Sequence, residues 1–241
     1  MRSGLVPILC LLLLFLPGRS AAQQIYLLSV GVADYPGTQM DLRLPAEDAR
    51  AMYRLYRRNA AATAVLLTNQ KATAAEIAAA AGNLFSQASA DDIVVLFFSG
   101  HGYAGGFAAQ DTLLSYARIR EFFQGCPARH KMIFADACYA GSIRQGGSEG
   151  HRMEQDGNIM LFLSCRSNEV SYEDPSMRNG YFTTCLTRCL KGGADENRDR
   201  VITARELFEA VSRGVKTLSD DRQHPVMWGN FKDTMPVMVW K

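Results

Sequence analysis

Two short apolar stretches end on reactive side chains: residues 92–102 read DIVVLFFSGHG, and residues 131–141 read KMIFADACYAG. Each stretch is apolar along its length and is stopped by glycine, which is typical of a strand buried on both faces of a parallel sheet. The carboxyl ends of neighbouring parallel strands open into one crevice. We therefore expect His101 and Cys138 to lie close together at one edge of a sheet.

The rest of the chain alternates between strands of this kind and helices. Strands are expected at residues 25–32, 64–67, 93–99, 132–135 and 159–164, and a last one at 223–229. Helices are expected at residues 47–58, 73–87, 117–124, 181–190 and 203–218. This alternation predicts an α/β sandwich with a mostly parallel sheet.

The pair of His101 and Cys138 has the chemistry of an acyl-transfer site. A thiol attacks as the thiolate, and a nearby imidazole favours that form and then protonates the departing amine. Acyl transfer also needs N–H donors aimed at the developing oxyanion. Gly102 offers a backbone N–H with no side chain in the way, and the N–H of Cys138 is the second candidate. These residues indicate a cysteine peptidase, with Cys138 as the nucleophile and His101 as the general acid and base.

The same two stretches resemble motifs of the caspase and metacaspase superfamily. Residues 99–102 are similar to its Ser-Gly-His-Gly motif, and residues 136–141 to the Asp-x-Cys-x-x-Gly motif of metacaspases. The resemblance also covers residues 25–35, 42–49 and 179–183. It implies a caspase-like three-layer sandwich, with a mostly parallel six-stranded sheet, helices on both faces and a His/Cys dyad that requires no cofactor. Asp136 stands where animal caspases have glutamine, which places the chain closer to metacaspases.

The metacaspase resemblance also implies a substrate pocket for a basic side chain. The acid two residues before the cysteine matches Asp136, the serine two before the histidine matches Ser99, and a third acid matches Asp48. Because carboxylates favour a cation, we expect cleavage after arginine or lysine rather than after aspartate. Glu173 stands where caspases place the arginine that binds aspartate. Arg43 is the contrary feature, since a basic residue in this region would suit an acidic substrate.

The segment 141–157 is rich in glycine and charge and has no apolar pattern, so an exposed loop is expected there. Related enzymes are often cut between the fourth and fifth strands when they are activated. We therefore expect self-cleavage after Arg144 or Arg152. The alternative is a loop that stays intact.

Residues 195–206, DENRDRVITARE, follow the spacing of an EF-hand calcium loop. The side-chain oxygen ligands would come from Asp195, Asn197, Asp199 and Glu206. Arg200 departs from the pattern, since glycine usually makes the sharp turn at that position. The alternative is a polar loop that leads into a helix capped by Thr203 and Glu206. Calcium is therefore a candidate ligand, although the proposed chemistry does not require it.

The first 22 residues have the pattern of a secretory signal peptide. Arg2 precedes an apolar stretch at 5–16, and the small residues 20–22 offer a cleavage site. The apolar stretch is shorter than the roughly 20 residues that span a bilayer, so a retained membrane anchor is the weaker alternative. A peptidase domain over residues 23–241 is expected to be exported, to the periplasm or outside the cell.

Composition limits the partners. The 241 residues are 48% hydrophobic and 21% charged, which suits a globular domain with a sizeable core. Removal of residues 1–22 leaves 24 basic against 24 acidic residues, because two of the 26 basic residues go with it. A neutral chain predicts no nucleic-acid partner and no anionic membrane surface. The expected partner is a protein or peptide substrate, and the sequence leaves the oligomeric state open.

Two alternatives of a different class stay open at this point. The chain could be a catalytically silent caspase-fold module that binds a peptide or protein. It could also be a calcium-responsive scaffold, in which residues 195–206 are the principal feature. A reactive Cys138 would distinguish the peptidase from both.

Overall fold

The computed structural model describes residues 23–103, 105–137, 159–166, 169, 171–172, 174 and 176–240. The strands are β1 (Ile25–Gly31), β2 (Ala62–Thr68), β3 (Ile93–Gly100), β4 (Gly102–Tyr103), β5 (Gly106–Ala108), β6 (Leu113–Ser115), β7 (His130–Ala137), β8 (Ile159–Leu163), β9 (Val201–Thr203), β10 (Val226–Trp228) and β11 (Pro236–Val239). The helices are α1 (Pro45–Tyr56), α2 (Ala74–Phe85), α3 (Tyr116–Gln124), α4 (Tyr181–Arg188) and α5 (Ala204–Leu218). Helix α4 continues as a π-helical turn over Cys189–Gly193.

Six of the strands form one sheet in the order β10-β8-β7-β3-β1-β2. All neighbours in it are parallel except β10, which runs antiparallel to β8 at one edge. The sheet is therefore mostly parallel, as the alternation of strands and helices predicts. Its central strands, β3 and β7, are the two that precede His101 and Cys138.

Helices cover both faces of this sheet, because side chains alternate along each buried strand. On one face, Leu28 and Val30 of β1 pack with α2 and α3. On the other face, Leu27 packs with α1, α4 and α5. The predicted three-layer caspase-like sandwich is confirmed.

The helix beginnings follow local capping chemistry. The Thr73 hydroxyl accepts from the Glu76 N–H at 3.2 Å where α2 begins. At α5, the Thr203 side chain and Glu206 form both halves of a capping box. A polar side chain satisfies the exposed N–H groups of the first turn, which fixes where each helix starts.

Two smaller sheets are present that the sequence pattern does not predict. Strands β4, β5 and β6 form an antiparallel meander directly after His101, and β9 pairs with β11. These strands are two to four residues long, which is too short to show a hydrophobic period.

Four cysteines, Cys126, Cys165, Cys185 and Cys189, are free thiols buried in the apolar interior. In the part of the chain that the structure covers, no helix is long and apolar enough to cross a membrane. The predicted signal peptide, residues 1–22, lies outside that part and stays a prediction.

Helix α1 approaches β1 closely enough to exclude a side chain at Gly31. The Ser29 hydroxyl donates to the Ala49 carbonyl at 2.9 Å, and a Cβ on Gly31 would lie 2.2 Å from the Pro45 carbonyl oxygen. The same turn of α1 carries Asp48. The missing Cβ at Gly31 thus sets how near Asp48 comes to the carboxyl ends of the strands.

We expect Gly31→Ala to destabilise the fold by about 1–3 kcal/mol, because the added methyl must displace backbone of α1. Gly82→Ala is the matched control, since a Cβ at that position of α2 meets nothing within 4 Å. That control should instead gain about 0.5–1 kcal/mol from reduced chain entropy. Denaturant unfolding of the two variants measures both effects, and equal changes would contradict the close approach of α1 to β1.

Candidate active site

The register of β3 against β7 brings the two predicted motifs together. Ser99 pairs with Asp136, and Gly100 pairs with Ala137. His101 follows Gly100 directly, and Cys138 follows Ala137. Cys138 itself lies outside the described residues, so the structure fixes the strand end that precedes it.

A cleft of about 100 Å³ opens where these strands end. It is lined by Leu42, Pro45, Asp48, Ser99, Gly100, His101, Asp136, Ala137, Ser171 and Gly180. The three predicted substrate-binding residues therefore meet in one cleft, next to the predicted general acid. That these residues bind substrate stays a prediction.

Two backbone and side-chain contacts orient His101. Its Nε2 lies 2.8 Å from the Met40 carbonyl oxygen, and its backbone N–H donates to the Tyr35 hydroxyl at 3.0 Å. Because a carbonyl oxygen only accepts, Nε2 must carry the proton of the neutral ring. Nδ1 is then the nitrogen that can take a proton from a thiol.

Tyr35 braces the turn between β3 and β4. Its hydroxyl donates to the Ala108 carbonyl at 3.3 Å, and its ring centroid lies 5.0 Å from that of His101. Burial raises the pKa of Tyr35 to about 12, so the hydroxyl keeps the proton that this donation needs. Gly100 has φ +154°, and a Cβ there would lie 2.8 Å from the Tyr35 oxygen. Glycine at position 100 therefore allows the Tyr35 side chain to pack against the backbone there.

Both contacts to His101 come from the loop between β1 and α1, which the sequence analysis did not assign to the catalytic site. The loop is held by the Leu42 N–H on the Ala33 carbonyl at 2.8 Å and by the Tyr35 N–H on Asp41 Oδ1 at 3.0 Å. The signal available in the sequence is the Tyr-Pro-Gly turn at 35–37, which begins at the last residue of a stretch that carries the family resemblance. A carbonyl contact such as that of Met40 has no residue-type signature at all.

The backbone N–H of Gly102, the predicted oxyanion donor, points away from the neighbouring strand β5. The Ala108 N–H donates to the His101 carbonyl at 2.9 Å, which makes Gly102 and Phe107 the non-hydrogen-bonded pair of β4 and β5. In such a pair the N–H groups point away from the partner strand. The Gly102 amide is therefore directed away from β5, at the edge of the small sheet that follows His101.

Asp48 is 2% exposed and accepts three hydrogen bonds. Its Oδ1 accepts from Asn179 Nδ2 at 2.8 Å and from the Gly180 N–H at 3.1 Å. Its Oδ2 accepts from the Ser99 hydroxyl at 2.9 Å. Ser99 thus contributes by holding one oxygen of Asp48 at the cleft.

Asp136 is 5% exposed and is held by the beginning of α4. Its Oδ2 accepts from the backbone N–H of Thr183 at 3.1 Å and from the Thr183 hydroxyl at 2.7 Å, while Oδ1 accepts from the Ser171 hydroxyl at 2.5 Å. The N-terminus of a helix carries partial positive charge, which favours a carboxylate at this place.

The donors to the two carboxylates are all neutral groups. Burial, followed by the charge of Asp136, raises the pKa of Asp48 well above its ordinary value. Burial likewise raises the pKa of Asp136, against the opposing effect of its hydrogen bonds. Among the described residues that line the cleft there is no lysine or arginine. Over the part of the chain that the structure describes, the cleft is therefore a buried, acidic site with no lysine or arginine as counter-ion.

Arg43, whose positive charge would suit an acidic substrate, is not among the residues that line the cleft. Its guanidinium donates to the Asp174 carbonyl at 2.7 Å, and it does not line the cleft. Glu173 lies outside the described residues. The contrary expectation from Arg43 finds no support in its placement.

The candidate calcium loop is held together by its own hydrogen bonds. Asp195 accepts from the backbone N–H groups of Asp199 and Arg200 at 3.1 and 3.0 Å. Glu206 Oε2 accepts from the N–H and hydroxyl of Thr203, as the capping alternative requires. Arg200 adopts φ 67°, so it makes the turn without glycine. Over the described ranges, no three His, Cys, Asp or Glu side chains are grouped as metal ligands. Calcium binding by this loop stays a prediction.

Comparisons with known proteins agree with this picture of the fold and of the motifs. The sequence matches a family model described as the caspase domain over residues 26–235. The structure is similar to the crystal structure of a protein from Geobacter sulfurreducens, with a TM-score of 0.67 and 17% identity, over 90% of this chain and 100% of that one. A likeness at this identity shows the fold alone. No curated protein matches the sequence.

We expect Asp48→Asn to raise the melting temperature at neutral pH, because it removes one of two buried like charges. A carboxyl whose pKa is raised by folding costs stability above that pKa, and the cost disappears as the pH falls through it. The gain should therefore be present at pH 8 and should shrink toward acidic pH. For a chain of this size, each kcal/mol relieved corresponds to about 2–4 °C.

The matched control for Asp48→Asn is Asp92→Asn, at the opposite end of the sheet. The Asp92 carboxylate accepts from the backbone N–H groups of Gln24 and Ser89 at 2.8 and 2.7 Å. An amide cannot accept from a backbone N–H at both atoms, so this control should melt lower, whereas the Ser99 hydroxyl opposite Asp48 Oδ2 can rotate and accept from the amide of Asp48→Asn. Thermal unfolding between pH 4 and 8 tests the pair, and a lower melting temperature for Asp48→Asn at all pH values would contradict an unneutralised site.

Proposed function

Because the chain belongs to the caspase-domain family of cysteine peptidases, we propose that it is an active endopeptidase that cleaves proteins after arginine or lysine. One observation supports the specificity: two buried carboxylates, Asp48 and Asp136, line the same cleft as His101, and none of the described lining residues is a lysine or an arginine. The acidic cleft also supports a relationship to metacaspases rather than to animal caspases.

In the proposed reaction His101 acts through Nδ1. The Met40 carbonyl retains the Nε2 proton, so Nδ1 accepts the proton of the Cys138 thiol. The thiolate then attacks the carbonyl carbon of the substrate, and the carbonyl oxygen takes up negative charge. The Gly102 N–H and the amide of Cys138 are the candidate donors to that oxygen.

Collapse of this adduct breaks the carbon–nitrogen bond. The imidazolium of His101 gives its proton to the departing amine, which leaves as the new amino terminus. A water molecule, deprotonated by the same Nδ1, then attacks the thioester. The acyl group leaves as a carboxylic acid, and Cys138 regains its proton. No metal or organic cofactor takes part in this sequence of steps.

The carboxylates in the cleft are suited to a planar cation. Among the described residues, Asp48 Oδ2 accepts from the Ser99 hydroxyl and Asp136 Oδ1 accepts from the Ser171 hydroxyl. A carboxylate oxygen has two lone pairs, so it can accept from a substrate donor as well as from a hydroxyl. A guanidinium presents several donors in one plane and would supply the missing positive charge. An aspartate side chain in the same cleft would add a third like charge.

The central test is hydrolysis of fluorogenic peptides that end in arginine, lysine or aspartate. We expect the arginine and lysine peptides to be cut and the aspartate peptide to be spared. Cys138→Ala should abolish turnover, and a peptidyl electrophile should label Cys138 in the wild type only. Failure of both turnover and labelling would favour a silent, peptide-binding module, and cleavage of the aspartate peptide alone would refute the specificity.

Asp136→Asn should lower kcat/KM for the arginine peptide about 10- to 100-fold, since it removes a charged hydrogen-bond partner of the cation. Asp92→Asn is again the control, because its buried carboxylate lies far from the cleft at the start of β3. That control should keep the arginine peptide as its best substrate. A loss of the same size in both variants would show that Asp136 acts through stability alone.

Self-cleavage is part of the proposed activity, at Arg144 or Arg152. These residues lie outside the described part of the chain, and support comes from their residue type and from the acidic cleft. The intact mass of the wild type should show two fragments, whereas Cys138→Ala should stay whole. Substitution of both arginines with glutamine should keep the active enzyme in one piece. Identical masses for wild type and Cys138→Ala, apart from the substitution, would contradict self-cleavage.

A further inference from the structure

The exposed apolar side chains of this protein are unevenly distributed. In the part of the chain that the structure covers, four large hydrophobic residues are more than a third exposed: Met40 at 40%, Tyr103 at 44%, Leu113 at 47% and Leu218 at 38%. Three of them, Met40, Tyr103 and Leu113, belong to the loop and the small sheet that adjoin His101. Scattered single hydrophobic residues need no explanation, but neighbours around one catalytic group do.

Met40 and Tyr103 flank the imidazole. The Met40 carbonyl is the contact of Nε2 at 2.8 Å, and the Tyr103 ring centroid lies 6.4 Å from the imidazole centroid. Neither residue lines the cleft that contains Asp48 and Asp136. Beside His101 there is thus a second surface, which is apolar where the cleft is acidic.

The small sheet extends this surface to Leu113. Tyr103 pairs with Gly106, and Leu113 pairs with Ala108, two residues further along β5. Side chains alternate across a strand, so both pairs lie on one face, while Phe107 and Leu114 are buried on the other. Leu113 Cδ2 comes within 3.8 Å of where a Cβ on Gly105 would stand, so it reaches toward the turn after Tyr103. The small residues Gly106 and Ala108 lie between the two large ones on this face.

The chemistry assigns an occupant to this surface. The general acid must touch the amine that departs, and this amine belongs to the residue directly after the cleaved bond. The residue before the bond fills the acidic cleft on one side of His101. The residue after the bond must lie outside that cleft and within reach of the imidazole, where Met40 and Tyr103 are the exposed apolar neighbours that the structure describes.

We infer that Met40, Tyr103 and Leu113 form a leaving-group subsite, which binds an apolar side chain carried by the residue immediately after the cleaved bond. The subsite gives the enzyme a two-part substrate class: a basic residue before the bond and an apolar residue after it. Burial of the apolar substrate side chain against Tyr103 and Leu113 would supply the preference for an apolar residue after the bond. This inference rests on the proposed peptidase function.

The test uses internally quenched peptides that share one sequence up to arginine and differ in the next residue, which is leucine, serine or aspartate. With the full-length protein, kcat/KM for the leucine peptide should exceed that for the serine peptide at least about fivefold. Tyr103→Ser should reduce this ratio to about two or less, and Tyr103→Phe should retain it. Leu113→Ser should lower it as well, which covers the case of a Tyr103→Ser protein that does not fold.

Leu218→Ser is the matched control, since it removes a side chain of similar exposure from the end of α5. Its ratio should equal that of the wild type. Equal rates for all three peptides, or a leucine preference that survives both Tyr103→Ser and Leu113→Ser, would overturn the inference while leaving the peptidase function intact. Hydrolysis of none of the peptides would overturn the function and the inference together.

Discussion

The parallel pairing of β3 with β7 is the constraint on which the rest of the site depends. Because Ser99 lies opposite Asp136, and Gly100 opposite Ala137, β3 and β7 end side by side at the same edge of the sheet. A slip of one residue would turn every side chain of a strand to the other face. Such a slip is prevented by β3, whose eight residues are all buried and whose six residues from Ile93 to Phe98 alternate between two separate apolar cores. Packing on both faces of one strand thus fixes the position of the general acid.

The two buried carboxylates of the acidic cleft repel each other, so holding them together lowers the stability of the folded protein. Asp48 is carried by α1, and Asp136 by β7, so their proximity requires the close approach of helix and sheet at Gly31. Neutral donors from α4 and the residues before it hold both carboxylates, and burial still raises their pKa values. Folding energy from two apolar cores therefore maintains a local repulsion. Under the proposed function, the cationic side chain of the substrate relieves this repulsion, so substrate binding would stabilise this end of the molecule.

The sequence predicts the central sheet and the cleft well because both depend on long apolar strands. Ser99 and Asp136 each precede a reactive residue by two positions, and the parallel register of β3 and β7 places them opposite each other. The carbonyl of Met40 and the hydroxyl of Tyr35 are not predictable in the same way, since a loop conformation places them and any residue has a carbonyl. The meander after His101 escapes prediction because its strands are shorter than one hydrophobic period. At residues 195–206, one set of residues satisfies two patterns, and hydrogen bonds to Thr203 occupy Glu206 as a cap.

One loop and one short meander give the two sides of His101 their different character. The loop that supplies Tyr35 and Met40 fixes the tautomer, so that the reactive nitrogen and the protonated nitrogen are distinct. The meander follows directly after His101, so Gly102 and Tyr103 form its first strand. Successive residues of a strand face opposite sides of the sheet, and here Gly102 is buried while Tyr103 is exposed. The proposed oxyanion donor and an exposed aromatic ring near His101 are therefore neighbours in the same two-residue strand.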